Sequence, residues 1–188
     1  MLTLSLREPW LSQLFDPVDA KRIENRTWLR HVQGKAVLLH AAKQMDPDEY
    51  HLAAVEMRAY GVKLPVLERR RLRQGHGIVG VARVTHILGP HQEHLVEHLQ
   101  LPWEIARWWR RSAYGYVLDD VAEFHRPIKA DGYPGFYETA QALVQCELDA
   151  VGWRLTDADI ALERAARPVQ ATLEALLGGP AATDDPKG

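Results

Sequence analysis

The stretch Lys21-Arg22-Ile23-Glu24-Asn25-Arg26-Thr27-Trp28 alternates two sets of side chains. Read as a strand, it places Lys21, Ile23, Asn25 and Thr27 on one face and Arg22, Glu24, Arg26 and Trp28 on the other. Both faces are largely polar, so the strand is not expected in a core. The turn-forming run Asp16-Pro17-Val18-Asp19 precedes it and offers a bend that brings Lys21 toward the cavity served by Glu24 and Arg26. A lysine, a carboxylate and a guanidinium in one cleft can hold a nucleobase or a phosphate by charge-assisted hydrogen bonds. Equally, a lysine whose pKa is lowered by burial can act as a base or nucleophile. The plain alternative is an exposed ladder of ion pairs, which contributes little to stability.

Strands and helices alternate outward from this stretch. Leu2, Leu4 and Leu6 alternate with Thr3 and Ser5, which predicts a strand with one buried face. Arg7 to Phe15 reads as a short helix with Glu8 and Pro9 in its first turn. Ala36 to Ala41 is a short apolar run and reads as a buried strand. Asp46-Pro47-Asp48-Glu49 caps and opens a helix with Leu52, Val55 and Met57 to Tyr60 on its apolar side, ended by Gly61. Gly77 to Leu88 is rich in β-branched residues, and Gly77 and Gly80 suggest a bend or bulge. Further on, Glu104 to Arg111 is expected as a helix and Tyr116 to Leu118 as a strand turned by Asp119-Asp120. Asp131-Gly132-Tyr133-Pro134-Gly135 is a tight loop, after which Phe136 and Tyr137 would close a barrel. Thr139 to Val151 then reads as helical, with Ala140, Val144, Leu148 and Val151 on one side. Thr156 and Asp159 start a second helix, which Pro168 kinks and Gly178-Gly179 stops.

The order of segments, with Leu4 to Trp10 before the charged stretch and Gly34 to Lys43, Gly77 to Val84 and Tyr114 to Leu118 after it, resembles the ASCH domain of the PUA-like superfamily over roughly residues 2–138. The strongest match is Lys-x-x-Glu-x-Arg at Lys21, Glu24 and Arg26, following the first strand and Pro9-Trp10. The resemblance implies a mixed α/β (α+β) fold, a small PUA-like β-barrel with interspersed helices in residues 1–138. A helical extension (139–178) and a disordered tail (179–188) follow from composition. It also implies that Lys21, Glu24 and Arg26 line the cleft of the barrel. Some members of the family look like RNA-binding or modified-base-reading modules. One branch removes the acetyl group of acetylated cytidine, and some members are described as ribonucleases. That hydrolase branch carries Lys-x-x-Thr with the threonine as nucleophile. Glu24 stands at that position here, Asp19 stands where a glycine is usual, and the branch's later acid has at best Arg83 as its counterpart. A Lys21 and Glu24 acid/base pair stays open as the enzymatic alternative.

Charge and composition limit the partners. The 188 residues carry a net charge of −2, so nucleic acid would have to be held by a local basic patch. Two candidates exist: Arg69, Arg70, Arg71 and Arg73, and the aromatic-interleaved Arg107-Trp108-Trp109-Arg110-Arg111. Arginines neutralise phosphates while tryptophan faces stack on bases; buried tryptophans beneath a solvated helix are the alternative. Trp10 and Trp28 are candidates to stack on or wall a ligand. Ser5, Tyr114 and Lys129 complete the expected ligand-binding set. The single Cys146 excludes an internal disulfide and suggests a reducing cytoplasm, and neither a signal peptide nor a membrane span is expected.

His94-Leu95-Val96-Glu97-His98 matches the zinc-peptidase pattern His-x-x-Glu-His, with Glu123 or Glu138 as a distant third ligand. The segment is short and bounded by Gly89-Pro90 and Pro102, so no metal or other cofactor is expected. Neither Ser5 nor Ser12 has a histidine close in sequence, which leaves a spatial one open. RNA, another single strand or a modified nucleoside is the expected partner. Oligomeric state is left open, including dimerisation through the extension.

Overall fold

The computed structural model describes residues 1–43, 46–65 and 77–159. Two compact units divide the chain, Met1–Arg154 and Leu155–Gly188. The expected basic run Arg69 to Arg73 lies outside the described residues, as does nearly all of the second expected helix. Its start is described: the Asp159 carboxylate accepts from the N–H and hydroxyl of Thr156 at 2.8 and 2.9 Å, the capping contact read from the sequence.

The first unit is a mixed α/β fold built on a strongly curled, half-barrel sheet. Its strands are β1 (Leu2–Leu6), β2 (Ile23–Arg26), β3 (Ala36–Ala41), β4 (Gly77–Leu88), β5 (Tyr114–Ile128) and β6 (Phe136–Glu138). They lie in the order β2-β5-β4-β3-β1-β6, with β1 parallel to β3 and every other pair antiparallel. Between them run α1 (Trp10–Leu14), α2 (Pro47–Ala59), α3 (Glu93–His98) and α4 (Trp103–Ala106), with α5 (Gln145–Ala150) after β6. The curl has a local cause. Pairing of β4 with β5 slips between Ile78 and Gly80, Val81 and Arg83, and Val84 and His86, and pairing of β3 with β4 slips at Leu39/His40. Each slip adds local twist to a long strand.

Several elements differ from their sequence reading. The β1 strand is buried on both faces at Thr3 and Leu4, and Thr3 Oγ1 is satisfied there by Thr139 Oγ1 at 2.6 Å. In α2 the buried residues are Ala53 and Met57, whereas Leu52 and Val55 face outward; Asp46 caps it as expected. Asp119-Asp120 does not reverse the chain. It lies within β5, with Asp120 at φ 46°, and the strand continues to Ile128. The expected helix Glu104 to Arg111 is a single turn, Trp103–Ala106, and the expected helix Thr139 to Val151 splits into a 3-10 turn, Gln141–Leu143, and α5. Closure by β6 is partial: it pairs with β1 and makes no backbone ladder with β2. Trp28, Tyr116 and Phe136 bridge the two free edges, with ring centroids 5.6 Å apart for Trp28–Phe136 and for Tyr116–Phe136.

One core cluster joins Ile23, Met57, Val62, Leu88, Trp108, Trp109 and Val117. Gly115 lies at its centre. A Cβ there would sit 2.6 Å from Trp109 Cδ1 and 3.0 Å from Ile23 Cγ2, with β-sheet on both sides to resist movement. Gly115→Ala is expected to lower the urea-unfolding free energy by about 1–3 kcal/mol, the usual cost of overpacking.

Candidate functional site

The bend before β2 is made by Asp16. Its carboxylate accepts from the Val18 and Asp19 N–H groups at 2.9 and 2.7 Å, an Asx turn. Gln13 then anchors the returning chain: its side chain donates to the Asp19 carbonyl at 2.8 Å, and its carbonyl accepts from Lys21 N–H at 2.9 Å. Lys21 therefore precedes β2 and is not bound by the strand's alternation. Ile23 points into the core, while Lys21 turns to meet Glu24 and Arg26 on the opposite side.

The result is a buried charge cluster, not an exposed ladder. The side chains of Lys21 and Glu24 are only 5% and 9% exposed. One Glu24 oxygen accepts from the Lys21 ammonium, and the other lies 3.1 Å from Arg26 Nε. Arg26 also donates to the Ser5 carbonyl at 2.6 Å, beyond the last β1–β6 pair, so the guanidinium clips β2 to β1. Burial pushes the Lys21 pKa down, partly offset by Glu24. Burial disfavours ionised Glu24, but the charges of Lys21 and Arg26 prevail and hold its carboxyl below the ordinary range.

This cluster lines a cleft of about 560 Å³, within the range of small-molecule sites. Trp10 forms one wall, with Lys21 Nζ 5.6 Å and the Arg110 guanidinium 5.8 Å from its ring centre. The loop from Asp131 to Gly135 forms the other and carries the exposed Tyr133. Asn25 positions the segment at the mouth: its amide donates to the Trp108 carbonyl at 2.7 Å and accepts from Arg110 N–H at 2.8 Å. Arg7, Lys43 and Arg110 border the cleft, with Arg7 and Arg110 each 2.6 Å from a carboxylate, Glu49 and Glu56.

The other expected residues disperse. Ser5 lines the cleft. Trp28 packs on the edge-bridging aromatics, with Arg26 5.9 Å from its ring. Tyr114 pairs with Arg26 across the β2–β5 ladder, and Lys129 follows β5; neither borders the cleft. Arg107 is only 9% exposed and is spent on the Glu104 and Tyr60 carbonyls and on Asp19. Arg111 is exposed, 3.8 Å from Glu93. Trp108 and Trp109 are core residues, with Trp109 Nε1 donating to the Ala113 carbonyl at 3.0 Å. His94, Glu97 and His98 sit on the six-residue α3, none of whose residues is buried, and among the described residues no group of three or more His, Cys, Asp or Glu is placed to hold a metal.

Sequence reasoning missed His40. It lies in β3, is buried, and places Nδ1 3.2 Å from Ser5 Oγ and Nε2 3.1 Å from the Ala130 carbonyl oxygen. The available signal was a lone imidazole in the apolar run Ala36 to Ala41. No protein-family model matches the chain, and no curated protein matches its sequence.

Removing one partner of a buried ion pair typically costs about 3–5 kcal/mol, because the other charge stays uncompensated. Lys21→Met and Glu24→Gln are each expected to destabilise the fold on this scale in urea unfolding, and the double variant by less than their sum. In the unfolded chain Glu24 takes up a proton more readily than in the folded one. Its contribution is therefore complete above the ordinary carboxylate pKa and is lost as pH falls through the lowered folded value. Glu24→Gln should flatten the acid limb of Tm against pH.

Proposed function

We propose that this protein is a nucleic-acid-binding module of the ASCH type, which holds an RNA base or modified nucleobase in the cleft floored by Lys21, Glu24 and Arg26. The observation that carries the reading is the burial of Lys21 and Glu24 against each other, with the half-buried Arg26 beside them, beneath an open cleft. A carboxylate and two cations present fixed acceptors and donors to the polar edge of a base. Trp10 and Tyr133 offer ring surfaces at the walls, and Arg7, Lys43 and Arg110 offer positive charge to flanking phosphates. Single strands suit the cleft better than duplex, whose bases are stacked and paired. The exposed free Cys146 goes with a reducing cytoplasm, and among the described residues no helix is long and apolar enough to cross a membrane.

Anisotropy titration of short single-stranded RNA at several salt concentrations tests this. Lys21→Gln should weaken binding about 10-fold or more, the worth of a charge-assisted hydrogen bond. Arg110→Ala should reduce the slope of log affinity against log salt by about 0.7, one phosphate contact on a single strand. Absence of binding even at low ionic strength overturns the reading.

The burial-lowered pKa of Lys21 favours a second reading, a hydrolase acting in the same cleft on acylated cytidine or on RNA, with Lys21 and Glu24 sharing the acid/base work. Mass spectrometry of acetylated cytidine, free and within RNA, would then show deacetylation or cleavage by the wild type and none by Lys21→Ala.

A further inference from the structure

Neither reading uses His40. Its ring is 1% exposed and adjoins Val37, Leu38 and Leu39 in a strand buried almost throughout. Burying an imidazole is costly unless its nitrogens are hydrogen-bonded, and both are. The Ala130 carbonyl can only accept, so Nε2 carries the proton, and the Nδ1 lone pair faces the Ser5 hydroxyl. The ring is also held sterically: a Cβ on Gly132 would lie 2.1 Å from His40 Cε1, so that loop rests directly on it. A nucleophile, a base and a third group orienting the base are thus in line. Ser5 is only partly buried and opens into the cleft, where Arg26 holds its carbonyl.

We propose that Ser5 and His40 form a nucleophile–base pair that makes this cleft a site of acyl transfer from a small amide or ester to water. Ser5 Oγ forms a bond to the substrate's carbonyl carbon while its proton passes to His40 Nδ1. The carbonyl electron pair moves onto oxygen, where Arg26 supplies a positive charge. As the intermediate collapses, the bond to the leaving nitrogen or oxygen breaks, and that atom takes the proton from His40. Water then attacks the acyl-serine with His40 again as base, and a carboxylic acid leaves. The Ala130 carbonyl holds the imidazolium in both halves. This chemistry shares the cleft and Arg26 with the proposed base site, but it requires neither a base edge nor a phosphate.

The full-length protein incubated with diisopropyl fluorophosphate and analysed by intact mass and peptide mapping tests the assignment. One adduct per chain at Ser5 is expected, absent from Ser5→Ala and formed about 100-fold or more slowly in His40→Gln, the lower range for loss of a general base. Hydrolysis of p-nitrophenyl acetate should fall with it. A folded wild type that remains unlabelled, or is labelled only elsewhere, overturns the proposal. So does a folded His40→Gln labelled at the wild-type rate. Should His40→Gln not fold, Ser5→Ala decides: ester hydrolysis lost with the adduct upholds the pair, and hydrolysis retained overturns it.

Discussion

A buried carboxylate that depends on two cations is the constraint around which the cleft is arranged. Glu24 has little access to water and is kept ionised by Lys21 and Arg26. Taking such charges out of water costs several kcal/mol each, and their attraction repays this only with good geometry. A hydrophobic trio of the same size would usually serve stability as well. The supporting contacts are therefore informative. The Asp16 turn, the Gln13 anchor and the Arg26 clip to Ser5 all hold these charges in register at the floor of a cleft. Perturbed ionisable groups cluster at functional sites, and ion-pair networks that serve structure shift pKa as well.

The sheet's incomplete closure is what leaves that cleft open. The edges β2 and β6 are joined by rings, not by a ladder, while one guanidinium ties β2 to β1. Rings exclude water at the edge as a strand would, and unlike a ladder they do not force the two backbones to the spacing of paired strands. Gly135, at φ 82°, lets the loop turn into β6, with its own Cβ position 3.1 Å from Trp28. The same loop covers His40, so barrel closure and the ordering of the Ser5–His40 pair share one segment.

The run Arg107 to Arg111 shows how one composition divides into separate roles. Arg107 faces inward and satisfies two carbonyls and Asp19; Trp108 and Trp109 fill the core; Arg110 emerges at the cleft beside Trp10; Arg111 remains exposed. A cation-aromatic run thus supplies one residue to the site, while most of its bulk holds the scaffold under it. Asn25 makes the division possible by pinning the backbone between Trp108 and Arg110.

Local chemistry made much of this legible in the chain itself. The strands Ala36–Ala41 and Gly77–Leu88, the Asp46 and Thr156 caps and the bend at Asp16 follow from β-branching, apolar runs and side chains that bond their own backbone, all of which act over a few residues. The convergence of Lys21, Glu24 and Arg26 was legible for the same reason, since a turn and a strand period are short-range. Burial was not legible. A polar strand reads as exposed until another layer covers it, so the buried state of Lys21 and Glu24, the core position of Trp108 and the outward Leu52 and Val55 depended on packing. The meeting of Ser5 with His40, 35 residues apart, was decided only by the parallel pairing of β1 with β3, a register that hydrogen bonds between distant strands set and no local propensity encodes.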